Sequence, residues 1–480
     1  MKKILTLLLA LWMLTGCVAM AAGNQLVVGS TTAMSGAFFT DLFGSNTADI
    51  DVRALLHGYN LMSWDNETGT YQINDSVVAG MAVSRDAQNN RVYTFDLYGD
   101  LKFSDGSAIT AKDYAFSILL TASPELAKLG GQSAAVGAIL GMDAYQSGKS
   151  SVLRGVRLLS DTQMSITISK AYEPYFYEMA LFDYSPYPIS VLAPGCKVVD
   201  TEKGVGIVNA GGTGTAIFTA DLLQKTILDA ATGYMSHPSV VSGPYTLTRY
   251  DAQSGTASFA INPYYKGNED GEKPTIETIV YRTVANDEAI DLLLSGEVDL
   301  LNKMVAADTI SKGIQSTADQ PFSVANYPRS GLSMISFSCE RQTVSGKAVR
   351  QAIASCFDRD ALVKAYTGNF GLKANGYFGI GQWMYQLAAG TIQPPVADLP
   401  ANATAKETAA YEKTVAQWDA LSLDKLKDYP LDLDQAAKLL DQDEWRIGKD
   451  GIRAKKIDGK TVALDLTLIY PEGNAVGDAL

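Results

Sequence analysis

Histidine is scarce in this sequence: His57 and His237 are the only two among 480 residues. A Ser-His-Asp triad would have to use one of them as its base, and no serine lies in the context of a nucleophile elbow. The sequence therefore predicts that the protein is not an enzyme, with no catalytic residue and no cofactor.

Nucleotide and acid–base motifs are missing as well. Gly459-Lys460-Thr461 matches the end of a phosphate-binding loop, but position 454 is Ala where that loop requires Gly. Two acidic pairs, Asp358 with Asp360 and Asp432 with Asp434, fit helix N-caps better than a catalytic site. We expect Asp358 and Asp434 to cap the helices that follow them.

Cysteine is also rare, with four residues in the chain. Their spacings match no zinc site, so no metal is predicted. If Cys17 is modified, as argued below, the odd remainder of Cys196, Cys339 and Cys356 excludes a full disulfide framework. Cys356 lies at helical spacing with Val349 and is predicted to be a small core residue. A bridge between Cys339 and Cys356 is the alternative.

Basic residues are outnumbered. The chain has 39 Lys and Arg against 52 Asp and Glu, a formal charge of −13. Without residues 1–16 the balance is 37 against 52, or −15. This charge argues against nucleic acid as a partner and against general adhesion to anionic lipid.

The N-terminal apolar run, Ile4–Leu14, is too short to span a bilayer, for which about 20 residues are needed. It follows Lys2 and Lys3 and ends in Leu14-Thr15-Gly16-Cys17, which resembles a bacterial lipobox. We expect residues 1–16 to be a signal peptide, a lipid to be attached to Cys17, and residues 17–25 to be a tether. The alternative is a plain secretory signal cleaved near Ala19–Ala22.

The stretch Val92–Ser117 predicts an α/β unit. β-forming residues alternate with polar ones from Val92 to Phe103, and Asp105-Gly106 then makes a turn. Thr110 and Asp113 have the spacing of a capping box that begins a helix. A helix break is expected at Pro124.

Helix caps and a loop are also predicted in later parts of the chain. Asn286 is expected to cap a helix that Gly296 ends, and Gly368 is expected to end the helix after Asp358. Residues 196–237 are expected to form an elaborated loop with a helix near Asp221–Leu228. Four further segments have distinctive motifs: Ser242-Gly243-Pro244-Tyr245, Asn262-Pro263-Tyr264-Tyr265, Ser295-Gly296-Glu297-Val298-Asp299 and Val349-Arg350-Gln351-Ala352-Ile353.

Together these stretches resemble the peptide/nickel family of bacterial extracellular solute-binding proteins, family 5, the lipoprotein receptors of oligopeptide-type ABC importers. The matching residues in the first unit are Tyr93-Thr94-Phe95-Asp96-Leu97, Leu101-Lys102-Phe103-Ser104-Asp105-Gly106 and Ile109-Thr110-Ala111-Lys112-Asp113 with Phe116-Ser117. The resemblance spans residues 30–470, with gaps at 196–237 and 385–428.

The resemblance implies an α/β, two-lobed fold of the type II periplasmic-binding-protein kind, with an extra subdomain in the first lobe. Residues 26–50 and 190–328 are expected to form the lobe I core and 51–189 its subdomain. Residues 329–480 are expected to form lobe II, which is incomplete because the chain is C-terminally truncated relative to the family. On that basis we expect this chain to bind ligand poorly or not at all.

The resemblance also implies where a ligand is bound. Contacts are expected from the loop after the first strand, from the lobe crossing and from an aromatic loop of lobe II. The residues are Ala33, Met34, Ser35, Gly36, Ser330, Gly331, Trp383 and Met384. Relatives that bind peptides hold the amino group with an Asp late in lobe II, and no motif places that Asp in this chain.

The implied function is capture of oligopeptides or dipeptides in an inter-lobe cleft and delivery to a membrane permease, outside the cytoplasm. Nickel or another small solute is an alternative ligand, although scarce histidine argues against direct nickel ligation. A peptide sensor or chaperone of the same fold, without transport, is a further alternative.

A substitution at Cys17 tests the lipid anchor. Because the thiol is the only attachment point for the lipid, Cys17→Ala should move the protein from the membrane fraction to the soluble fraction of expressing cells. Immunoblotting of the two fractions measures the change. Retention of the variant with the membranes, as for the parent, would contradict lipidation.

Overall fold

The structure, a computed structural model, describes residues 24–44, 46–65, 70–132, 137–173, 177–317, 321–327, 331–368, 370–392, 399–400 and 402–470. The chain forms two compact units, Met1–Lys303 and Met304–Leu480. No helix in the described part of the chain has the length and apolar character needed to cross a membrane.

The elements follow in chain order. The strands are β1 (Gln25–Ser30), β2 (Met62–Asp65), β3 (Thr70–Ile73), β4 (Val78–Arg85), β5 (Arg91–Leu97), β6 (Val152–Leu153), β7 (Val156–Leu158), β8 (Gln163–Ile168), β9 (Cys196–Thr201), β10 (Gly204–Asn209), β11 (Tyr245–Asp251), β12 (Thr256–Ile261), β13 (Thr278–Thr283), β14 (Leu300–Leu301), β15 (Arg446–Ile447), β16 (Arg453–Ile457) and β17 (Lys460–Ala463). The α-helices are α1 (Thr47–Leu56), α2 (Ala111–Thr121), α3 (Pro124–Lys128), α4 (Met142–Gln146), α5 (Ile189–Leu192), α6 (Ala220–Thr226), α7 (Ala289–Ser295), α8 (Ala307–Thr317), α9 (Gln342–Ser345), α10 (Lys347–Ala354), α11 (Arg359–Thr367), α12 (Trp383–Ala388), α13 (Ala405–Asp419) and α14 (Leu433–Gln442).

The first unit contains a five-stranded sheet with the order β11-β12-β13-β1-β14. Strand β1 pairs in parallel with β13 from Gln25↔Thr278 to Ser30↔Thr283, and with β14 at Val28↔Leu300. Apolar side chains of β1, β12 and β13 form a core with helix α1; its fully buried members include Phe38, Val52, Leu56 and Phe259.

A second, antiparallel sheet of the first unit has the order β4-β5-β8-β7. The alternation predicted for β5 is present, since Tyr93, Phe95 and Leu97 are buried and Asp96 is exposed. The strand ends at Leu97 rather than at Phe103, and Lys102 forms only an isolated bridge with Ala108. These apolar residues join α2 in the largest core of the unit.

Helix α2 begins as predicted at a capping box. The Thr110 hydroxyl accepts a hydrogen bond from the Lys112 amide at 3.3 Å. The Asp113 carboxylate accepts from the Thr110 amide at 2.8 Å and from its hydroxyl at 2.9 Å. The helix ends at Thr121, and Pro124 begins the next helix, which confirms the predicted break.

Two predictions for the first unit are wrong. Helix α7 begins after Glu288, whose side chain makes no capping bond, so Asn286 is not its cap. The Gly296 C-cap is confirmed, with φ of +78°. Residues 196–209 are not a loop but the antiparallel hairpin β9–β10, in which alternate residues such as Val198 and Val205 are buried.

The second unit packs α10 and α14 around Trp445, which is 1% exposed, beside the antiparallel sheet β15-β16-β17. Asp358 caps α11 through the Ala361 amide at 2.9 Å, and Gly368 ends it at φ of +57°, as predicted. Helix α14 is capped by Asp432 rather than Asp434.

The prediction for Cys356 is also wrong. Helix α10 ends at Ala354, so the helical spacing that placed Cys356 in the core stops before it. Cys339 and Cys356 are both free and exposed, which rules out the alternative disulfide between them, and Cys196 is free and buried.

Replacing the Thr110 cap tests its contribution to stability. Thr110→Ala removes the hydroxyl that satisfies a first-turn amide, so the free energy of unfolding should fall by about 0.5–2 kcal/mol. Chemical denaturation with Thr110→Ser as the control, which keeps the hydroxyl, measures this. Equal midpoints for the alanine variant and the parent would mean that Thr110 contributes no cap.

Asp113 gives a pH dependence of known sign. Burial raises the pKa of this carboxyl to about 6, against the hydrogen bonds from Thr110. Because the folded state holds the proton more tightly than the unfolded state, the contribution of Asp113 to stability falls as pH rises from about 4 through 6. The free energy of unfolding of the parent minus that of Asp113→Asn should therefore fall across this range.

The comparison uses the difference in free energy of unfolding between parent and variant because His57 changes the stability with pH in the opposite direction. Burial lowers the pKa of His57 to about 4, a shift that the Phe38 carbonyl opposes and the Arg53 charge reinforces. Its contribution to stability is lost as pH falls from about 6.5 to 4. A parent-minus-variant difference that stays constant from pH 4 to pH 7 would contradict the assignment to Asp113.

Candidate functional site

The predicted ligand loop, Ala33–Gly36, follows the carboxyl end of β1. Both neighbours of β1, β13 and β14, run parallel to it, so the segments after these three strands leave the sheet at the same edge. In α/β sheets this edge is where ligands usually bind. The loop therefore occupies a position that suits ligand contact.

Three side chains, from α1 and its N-cap, hold the loop. The amide group of the N-cap residue Asn46 donates to the Ala33 carbonyl at 2.8 Å, and Arg53 donates to the Ala37 carbonyl at 2.7 Å. The Asp49 carboxylate accepts from the Ser35 amide at 2.8 Å and from the Ser35 hydroxyl at 2.7 Å. One face of the helix thus fixes Ala33 and Ser35 of the loop and Ala37, which directly follows the loop.

The loop residues differ in exposure. Ala33 and Ser35 are exposed, whereas Met34 is buried in the core beside the sheet and Gly36 is buried. Gly36 has φ of +86°, and a Cβ at this position would lie 3.4 Å from the Tyr250 ring. Among the described residues, the main-chain amides of Met34 and Gly36 have no hydrogen-bond partner. Main-chain amides of buried residues are usually paired.

A polar network lies at the same edge of the sheet and was not predicted. Asp51 accepts from Asn302 at 2.8 Å and from the Tyr281 hydroxyl at 3.0 Å, and it forms an ion pair with Lys303. Burial raises the pKa of Tyr281 to about 12. Lys303 has φ of +56°, which is uncommon outside glycine.

Only a weak sequence signal points to this network. Asn302 and Lys303 directly follow the recognised Ser295–Asp299 segment and a short strand, where site residues of α/β proteins collect. Their partner Asp51 lies about 250 residues earlier and inside a helix, so no local pattern connects them. The pairing of β1 with β14 places Asn302 and Lys303 at the edge of the sheet from which the chain continues to α1 and Asp51.

The predicted residues of the second unit lie in different settings. Ser330, like Cys17, lies outside the described residues. Gly331 is exposed, and a Cβ at this position would have no atom within 4 Å. Trp383 and Met384 begin helix α12 instead of forming a loop; Trp383 is 8% exposed and packs edge-to-face on Trp418.

The described residues contain no group of three or more His, Cys, Asp or Glu side chains able to hold a metal ion. Two open depressions lie away from the predicted residues. One of about 300 Å³ includes Tyr98 and Lys266, and one of about 430 Å³ includes Arg446 and Lys456.

The recognised motifs of the first unit form a junction between its sheets. The Ser104 amide donates to the Val241 carbonyl at 2.8 Å, and the Val241 amide donates to the Ser104 hydroxyl at 3.0 Å. The Tyr264 ring lies 3.0 Å from where a Cβ of Gly106 would be, so this glycine is required for the close approach. These motifs therefore specify the fold of the unit.

Comparison with known proteins identifies relatives. The chain is 26% identical over 415 residues to the oligopeptide-binding protein OppA of Lactococcus lactis subsp. lactis, covering 84% of this chain and 56% of that protein. It is 23% identical over 305 residues to the periplasmic oligopeptide-binding protein OppA of Escherichia coli, covering 62% of this chain and 48% of that protein. The chain thus spans about half the length of these curated relatives.

The fold is shared with solved structures. Lactococcal OppA with an endogenous peptide in the closed conformation matches with a TM-score of 0.59 at 18% identity, over 92% of this chain and 70% of that one. This likeness shows the α/β fold of the two-lobed periplasmic binding proteins. Residues 76–480 match the sequence model of bacterial extracellular solute-binding proteins, family 5, middle region. The resemblance read from the motifs is confirmed: the chain belongs to family 5 of the bacterial extracellular solute-binding proteins.

Proposed function

We propose that this protein is the substrate-binding receptor of an ABC importer, which captures oligopeptides or dipeptides and delivers them to a membrane permease. The family is one of binding proteins, and the curated relatives include oligopeptide-binding proteins. The observation that carries the proposal is the loop Ala33–Gly36, with two buried residues whose main-chain amides are unpartnered among the described residues.

Main-chain donors suit a peptide ligand for a physical reason. Every peptide presents carbonyl oxygens at a regular spacing whatever its side chains are, so a rigid loop with unpaired amides can bind them without reading sequence. A main-chain amide that a ligand covers and leaves unpaired costs about 1–3 kcal/mol, and a hydrogen bond to a ligand carbonyl avoids this cost. The remaining proposed contacts, Ser330, Gly331, Trp383 and Met384, stay predictions, as do the lobe boundaries.

We also propose that the mature protein is anchored outside the cytoplasm by a lipid on Cys17. The support is the sequence alone: a charged start, an apolar run of 11 residues and Gly16-Cys17 directly after it. The partners proposed are therefore a peptide, the permease complex and the membrane surface that holds the lipid.

A nickel chelate or another small solute is the second candidate ligand. NikZ from Campylobacter jejuni in complex with Ni(L-His) has the same fold, with a TM-score of 0.54 at 14% identity over 91% of this chain and 66% of that one. A chelated metal brings its own ligands and needs few from the protein, so the scarcity of histidine here is compatible with it. A sensor of the same fold without transport is distinguished by failure to bind a permease.

A bulky side chain at Ala33 tests the loop. Calorimetric titration with a mixed pool of di- to pentapeptides measures binding, both to this chain and to a version extended to the length of the curated relatives. Because Ala33 is exposed on the loop, Ala33→Trp should weaken binding at least about tenfold by occupying ligand space. Ala87→Trp, an exposed alanine in the turn between β4 and β5, is the matched control and should bind as the parent does.

The other possible outcomes of the titration each contradict a different part of the proposal. Equal binding by Ala33→Trp and the parent would remove the loop from the site. Binding of Ni²⁺ with L-histidine but of no peptide would favour the second candidate. Absence of binding to both probes in both forms of the protein would overturn the receptor function.

A further inference from the structure

One face of α1 and its N-cap fixes the loop that is proposed to bind ligand. Asn46, Asp49 and Arg53 lie three and four residues apart, which places them on one side of the helix. They hold Ala33, Ser35 and Ala37 in turn through bonds of 2.7–2.8 Å. Ala33 and Ala37 carry no polar side chain, and their main-chain carbonyls are held by Asn46 and Arg53.

Asp49 is the centre of this arrangement. It is 0% exposed and accepts three hydrogen bonds. Two come from the main-chain amide and the hydroxyl of Ser35, and one comes from the main-chain amide of Asn46 at 3.0 Å. A buried carboxylate is costly unless it is fully hydrogen-bonded, so the loop and the helix start stabilise each other through one group. Charge-assisted bonds of this kind are about twice as strong as neutral ones.

An aromatic ring also lies against the loop. Tyr250 lies 3.4 Å from the position of a Gly36 Cβ and packs edge-to-face on Phe38 at 4.6 Å. Burial raises the pKa of the Tyr250 hydroxyl, and the nearby Asp49 charge adds to the shift. The loop therefore contacts both the polar face of α1 and the Tyr250 ring, and its Met34 and Gly36 amides have no partner among the described residues.

We propose that Asp49, with Asn46, is a positioning residue for ligand binding: it touches no ligand but holds the main chain of residues 33–36 in the geometry that a ligand requires. This inference rests on the proposed function and adds a determinant of affinity inside α1. Pre-organising a binding loop raises affinity because the cost of ordering the loop is met before the ligand arrives.

The chain offers a matched control. Asp113 is also a buried carboxylate at the third helical position of a capping box. Within the described part of the chain its carboxylate accepts hydrogen bonds only from Thr110, far from the loop in sequence. Asp49→Asn and Asp113→Asn both change a buried capping carboxylate into an amide. Only Asp49→Asn places an amide donor against the donors of Ser35.

The experiment compares these variants in whichever form of the protein binds the peptide pool. Asp49→Asn should lower affinity at least about tenfold and speed amide hydrogen exchange at residues 33–37, while Asp113→Asn should change affinity less than about twofold. Asn46→Asp keeps an oxygen for the helix cap but removes the donor to Ala33, and it should follow Asp49→Asn. Thermal unfolding shows which variants are folded.

The results separate the two proposals. If the parent binds and folded Asp49→Asn and Asn46→Asp bind within about twofold of it, the positioning role is wrong and the receptor function stands. If neither of these variants folds, Ser35→Ala removes only the hydroxyl bond and should still weaken binding about threefold; unchanged affinity in this folded variant would overturn the proposal. If the parent binds nothing, the receptor function falls and this inference falls with it.

Discussion

The parallel pairing of β1 with β13 is the interaction on which the first unit depends. Six residues near the start of the chain, Gln25–Ser30, lie in register with Thr278–Thr283, so about 250 residues leave the sheet after β1 and return to it. This pairing brings the loop after β1 and the residues after β14 to one edge. The candidate site therefore exists because of main-chain hydrogen bonds between distant segments, and only its details depend on side chains.

Local features of the fold were predictable because short-range chemistry decides them. The caps at Thr110 and Asp358 and the C-terminal glycines Gly296 and Gly368 are set by residues within four positions of the helix end. Prediction failed where the helix begins two residues away from the expected position. Asp432 caps α14 although Asp434 lies only two residues later, and Glu288 rather than Asn286 precedes α7.

Less of the candidate site could be predicted. The loop Ala33–Gly36 was placed by family resemblance, but its support from Asn46 and Asp49 depends on how α1 packs after the loop. The Asp51–Lys303 ion pair joins residues about 250 positions apart, and no local sequence pattern connects the two segments. Cys356 shows the same limit on a shorter scale, because periodicity does not reveal where a helix ends.

The long separation of β1 from β13 also has a consequence for how the protein forms. At a synthesis rate of about 5–20 residues per second, β13 emerges roughly 12–50 s after β1. During that time β1 carries a row of unpaired main-chain groups and an apolar sequence, the features that promote intermolecular strand pairing. Contacts of such high sequence separation also slow folding, so shielding of β1 until β13 is made would lower the risk of intermolecular pairing.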